Sequence, residues 1–161
     1  MTQSDPRWLE SARAYLGTRE YPGAATNPVI ALFWKMAKLS GIKDDAVPWC
    51  SGFACAMVEA AGIRSPRSDS AKAWLTWGKP LISPKLGAIA VFKRPGGWHV
   101  GFVVGRDGRG NLMILGGNQG DAVSIASFPS DRLVGLRYPQ GLEADTMAPI
   151  MAGIQESRSE A

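Results

Sequence analysis

The hydrophobic rhythm of this chain changes once, near Leu86. Before that point apolar residues recur every three or four positions; after it they alternate or run in short blocks. In the first half, Trp8, Leu9, Ala12, Tyr15 and Leu16 mark one face of a helix that Asp5-Pro6 would start and Gly17 would stop. A polar loop follows over 18–26. Asn27-Pro28 opens a second helix whose stripe is Ile30, Phe33, Trp34 and Ala37, closed by Gly41. A third helix starts at Cys50, carries Phe53, Met57, Ala60 and Ala61 on one face, and ends at Gly62. Ser70 would cap a short helical segment reaching Trp77.

The second half predicts strands at 88–93, 98–105, 112–116, 122–127 and 133–138, with tight turns at 94–97 and 106–110. Short links between consecutive strands imply an antiparallel meander. Helices first and strands second give an α+β fold, with a helical layer packed on an antiparallel sheet of about five strands. The 161 residues fit one domain over 1–140. Residues 141–161 form a tail, either a peripheral helix or a frayed end.

Composition narrows the function. Hydrophobic residues make up 45% and charged residues 20%, so the body of the chain can bury a core. The net charge of +4 would draw the protein towards any polyanion: nucleic acid, anionic lipid or a cell wall carrying acidic groups. Arg7, Arg13, Arg19, Lys35 and Lys38 are interleaved with apolar residues rather than clustered, so no nucleic-acid arm is expected. No apolar run approaches the roughly 20 residues a bilayer requires, and no membrane insertion is expected. The polar start Met1-Thr2-Gln3-Ser4-Asp5 does not read as a secretory leader. Synthesis in the cytoplasm is therefore expected, with a separate route outward.

The cysteines, Cys50 and Cys55, lie about 7–8 Å apart along one helix axis, too far for an unstrained disulfide. Two cysteines and one histidine lack zinc-site spacing, and the Gly-rich turns lack the P-loop lysine. No metal or cofactor is expected.

The candidate chemistry centres on Val47-Pro48-Trp49-Cys50-Ser51-Gly52-Phe53, which puts a thiol at the first turn of a helix. Unpaired N–H groups and the helix dipole favour a thiolate there. The sole histidine, His99, lies on a strand where His99, Gly101 and Val103 share one face. If the Cys50 helix packs on that face, the imidazole can take the thiol proton and return it to a leaving amine. Asn118, in Leu115-Gly116-Gly117-Asn118-Gln119-Gly120, would orient the ring; Gln119 and Asp121 could do the same. The N–H of Cys50 would stabilise an oxyanion, with a second donor from the preceding loop or the loop of Glu20. Glu20, Trp49, Trp98 and Gln119 are candidate substrate contacts. Cys55, among apolar neighbours, reads as core.

Those strings resemble the CHAP/NlpC-like cysteine hydrolases, and most of all their short single-domain members of phage lysis cassettes and bacterial genomes. Gly17-Thr18-Arg19-Glu20-Tyr21-Pro22-Gly23, Asn27-Pro28 and Ser70-Ala71-Lys72-Ala73-Trp74 add to a likeness that spans residues 10–138. The resemblance implies a papain-like fold with Cys50 as nucleophile, His99 as base and Asn118 as orienting residue. It also implies peptidoglycan as substrate, cut as an N-acetylmuramoyl-L-alanine amidase or a stem-peptide endopeptidase. The expected setting is a monomeric phage or prophage endolysin, released to the periplasm or cell wall through a holin. A secreted antibacterial effector, a papain-like protein deamidase or acyltransferase, and a non-catalytic wall-binding module are the alternatives.

Overall fold

Among the described residues, two α-helices and a six-stranded antiparallel sheet are built around a third helix. The structure, a computed structural model, describes residues 4–22, 26–39 and 48–142. The tail expected over 141–161, apart from Gly141 and Leu142, lies outside the described residues, as does the expected helix stop at Gly41.

Helix α1 spans Arg7–Ala14 and buries Trp8, Leu9 and Ala12. Asp5 does not cap it; its carboxylate instead accepts from Arg13 Nε at 2.6 Å, and Pro6 holds the cap position. Helix α2, Pro28–Met36, starts as its sequence dictates, with Asn27 Oδ1 accepting from the Val29 N–H at 2.9 Å. Helix α3, Cys50–Ala60, is buried along nearly its whole length. It packs directly on α2, because a side chain at Gly52 would collide with the Trp34 ring. Gly62, at φ 81°, ends it.

A 3-10 turn at Ala71–Thr76 leads to the strands β1 (Lys79–Pro80), β2 (Ile89–Arg94), β3 (Gly97–Arg106), β4 (Leu112–Gly116), β5 (Ser124–Phe128) and β6 (Leu133–Tyr138). Their order in the sheet is β1-β6-β2-β3-β4-β5. The meander holds from β2 to β5. The last strand then returns to pair with β2, a non-local pairing, and β1, which the hydrophobic pattern does not imply, adds a sixth strand on its far side.

The two faces of β3 meet different partners. Phe102 packs against Phe53 of α3, with ring centroids 6.4 Å apart. His99, of opposite parity, stacks on Phe128 of β5 at 5.0 Å, and Phe92, its cross-strand partner, stacks on the same ring at 4.9 Å. The Phe53 turn of α3 therefore packs on the Phe102 face, and it is the head of the helix, at Cys50, that approaches the strand segment of His99. The room left by Gly101 is filled by Ile114 and the Gln119 amide oxygen.

Candidate active site

Helix α3 begins without a side-chain cap: Trp49, at the cap position, offers the backbone no hydrogen bond. Leaving such N–H groups unsatisfied costs about 1 kcal/mol in an ordinary helix. Here they face the sulfur. The Cys50 thiol lies beside the N–H groups of Cys50, Ser51 and Val100, all of which favour its ionised form, as does the charge of Arg94. Burial outweighs them and pushes the thiol above its ordinary value. Cys50 at rest is a neutral thiol, not the low-pKa thiolate that the helix terminus alone suggests.

Val100 follows His99 in β3, so the Cys50 sulfur lies against the stretch of strand that carries the imidazole. Pairing between β3 and β4 begins only at Phe102 with Leu115. Beyond that point the chain after β4 turns away through Gly117 and Asn118, and the turn lays Gln119 against His99.

The Gln119 amide is held on every side. Its Nε2 donates to the carbonyls of Ile114 at 3.1 Å and Ser124 at 2.8 Å. Both donors are thereby committed, so the atom facing His99 must be the carbonyl oxygen. It accepts from His99 Nε2 at 2.8 Å. That contact fixes the tautomer: the proton sits on Nε2, and Nδ1 carries the free lone pair. Nδ1 is buried and has no hydrogen-bond partner among the described residues, which is where a general base keeps its working nitrogen. The space for this pair comes from Gly116, where a Cβ would strike Gln119 Oε1.

Asn118, expected to orient the ring, occupies the turn at φ 59° and makes no hydrogen bond to His99. Asp121 sits in the same turn, also at φ 59°. Of the three candidates the structure puts Gln119 on the imidazole, and its amide is fully used there rather than turned to a substrate.

Trp49 is also placed differently. Its ring is fully buried, against Phe33 and beneath Gly117, so it is no wall of an open cleft. Its indole N–H donates to Glu20 Oε1 at 2.8 Å. Residues 17–20 run antiparallel to 121–123, through Gly17 N–H to Val123 O and Glu20 N–H to Asp121 O, both 2.9 Å. Glu20 and Trp49 thus brace the head of α3 against the turn that carries Gln119. The side-chain alternation of the Glu20 loop gives no sign of this pairing.

Of the four expected substrate contacts, Trp98 lies on an open groove. That groove, about 490 Å³, is bounded by Cys50, Pro48 and the 69–71 segment on one side and by the 94–98 hairpin on the other. Behind it, Ser51 Oγ donates to Ser68 O at 2.7 Å and accepts from Trp74 Nε1 at 2.9 Å, fixing the 68–74 wall to α3. Cys55 is fully buried beside the same carbonyl, away from the groove, as its apolar neighbours predict. Among the described residues no group of three or more metal-ligating side chains occurs, and no helix is long and apolar enough to cross a membrane.

Residues 42–118 match the family model of the CHAP domain. CHAP domains are generally cysteine- and histidine-dependent amidases or peptidases acting on peptidoglycan. No curated protein matches the chain. The family match stops one residue short of Gln119, the side chain that sets the tautomer of His99.

Burial also lowers the pKa of His99 from 6.5 to about 4, against the opposing pull of the Gln119 hydrogen bond. Between these values the unfolded chain takes up a proton that the folded protein refuses. Stability therefore falls as pH drops from 6.5 and levels off below 4, a total loss of about 3 kcal/mol from this one group. Urea denaturation across this range should show the midpoint falling with pH, and His99→Gln should flatten the slope. An equal slope in the variant would show that His99 is not held neutral by the fold.

Proposed function

We propose that this protein is a thiol-dependent peptidoglycan hydrolase of endolysin type, working as a monomer on an amide bond of the wall. The bond is either the muramoyl–L-alanine amide or one within the stem peptide. The observation that carries this reading is the Gln119 amide, which leaves His99 Nδ1 unprotonated on the strand segment whose next N–H faces the Cys50 sulfur.

In the proposed reaction His99 Nδ1 takes the thiol proton as the sulfur attacks the scissile carbonyl. The uncapped N–H groups at the head of α3 receive the charge that develops on the carbonyl oxygen. As the C–N bond breaks, the imidazolium passes its proton to the departing amine, leaving a thioester on Cys50. Water, deprotonated by His99, attacks the thioester and releases a carboxylic acid and the thiol. A neutral thiol at rest suits this sequence, because proton transfer then accompanies attack. The protein is made in the cytoplasm and reaches the wall after release, through a holin-type pore.

Digestion of purified sacculi followed by chromatography and mass spectrometry of the soluble fragments tests the reading. Fragments with new amino termini or freed lactyl groups, and no new reducing sugar ends, are expected, and their masses name the bond. Intact sacculi, or new reducing ends alone, would reject it.

A further inference from the structure

The groove over Cys50 is electrically lopsided. One wall ends in Asp69 and Ser70; the other is the turn from β2 to β3, where Arg94 pairs with Gly97 across Pro95 and Gly96. Gly96 at φ 83° makes this a tight two-residue turn, so Arg94 is fixed at the root of the hairpin and not on a loose loop. Arg94 is exposed, lines the groove with Cys50, and makes no ion pair among the described residues. Its charge is felt at both Cys50 and His99. The Lys72 ammonium, from the segment that follows Asp69 and Ser70, and the Lys93 ammonium, from β2, each lie 5.5 Å from the centroid of the Trp98 ring. On the hairpin wall Arg94 and Trp98 thus lie beside Cys50, with the Asp69 carboxylate on the opposite wall.

A guanidinium left unpaired beside a reacting centre offers a planar fork of donors matched to a carboxylate. We propose that Arg94 is a specificity-determining residue that binds a free carboxylate of the substrate next to the scissile amide. Asp69 repels the same carboxylate from the opposite wall, so the charge pattern fixes the direction in which the peptide lies. The substrate class is thus an acidic peptide with an unamidated carboxylate flanking the cut. This rests on the hydrolase reading above and goes further by stating what the groove selects.

The test compares reduced muropeptides with the same muropeptides after conversion of their carboxylates to methylamides. Cleavage by wild type, Arg94→Gln and Arg94→Lys is followed as kcat/KM by liquid chromatography. A charge-assisted contact predicts that wild type prefers the acid form by roughly tenfold or more. In Arg94→Gln that ratio should fall to about twofold, and Arg94→Lys should recover part of it by charge alone. The ratio within one enzyme cancels any effect of Arg94 on the reactivity of Cys50 or His99. Equal cleavage of both forms by wild type, or an undiminished preference in Arg94→Gln, overturns the assignment while leaving the hydrolase intact. Failure of wild type to cut either form removes the hydrolase reading and this inference with it.

Discussion

Cys50→Ala should abolish the clearing of sacculus suspensions, by roughly 10⁴-fold or more, without unfolding the protein. Cys50 borders the groove, and the other cysteine cannot replace it: Cys55 lies more than a turn along α3, sealed against the Ser68 carbonyl. The truncation removes a sulfur at the mouth of the groove, so the thermal melt should move little. His99→Gln should cost a comparable factor, since a glutamine amide cannot take the thiol proton. Iodoacetamide gives an independent readout at neutral pH. Wild type should be modified at Cys50 and not at Cys55, and His99→Gln should slow that modification, because ionisation of a buried thiol then lacks an acceptor. Undiminished lysis by either variant removes the covalent mechanism.

What the sequence discloses is what local chemistry controls. Asn27-Pro28 starts a helix because an Asx oxygen and a fixed proline φ satisfy its first turn, whatever surrounds them. Strands 112–116 and 133–138 lie where the pattern puts them, and Gly62 stops α3 because its φ is positive. The non-local features are hidden. No periodicity reports that β6 returns to β2, or that residues 17–20 pair with 121–123. The same distinction explains the thiol. A helix terminus is a local feature and argues for a thiolate, but burial of Cys50 depends on everything packed around it, and burial is the larger effect. Trp49 illustrates it again: beside a nucleophile, an indole suggests a cleft wall, yet the carboxylate of Glu20, 29 residues earlier, draws it inward.

The orienting residue is the sharpest case, because Asn118 and Gln119 offer the same amide group one position apart. Which of them faces His99 is decided by the backbone. Asn118 takes the left-handed conformation, which asparagine tolerates better than glutamine does, and that turn swings the next side chain onto the imidazole. Gln119→Leu should therefore lower kcat/KM by roughly a thousandfold, since a wrong histidine tautomer in a comparable triad costs about 10⁴. Asn118→Ala should stay within about threefold, the ordinary consequence of a turn made slightly less favourable. Loss of the Gln119 donors also leaves the Ile114 and Ser124 carbonyls short of partners, at a cost to stability of about 1–3 kcal/mol for each buried group. Activity alone would thus not separate positioning of His99 from simple loosening of the fold. The chain has a single histidine, so imidazole 15N chemical shifts report its tautomer without assignment. Wild type at pH 7 should show the proton on Nε2, and Asn118→Ala should show the same. Gln119→Leu, with the acceptor gone, should shift the proton towards Nδ1, the nitrogen that the proposed reaction requires to be bare. A Gln119→Leu protein that keeps the Nε2–H form and full activity would show that the ring is oriented by its stacking on Phe128 instead.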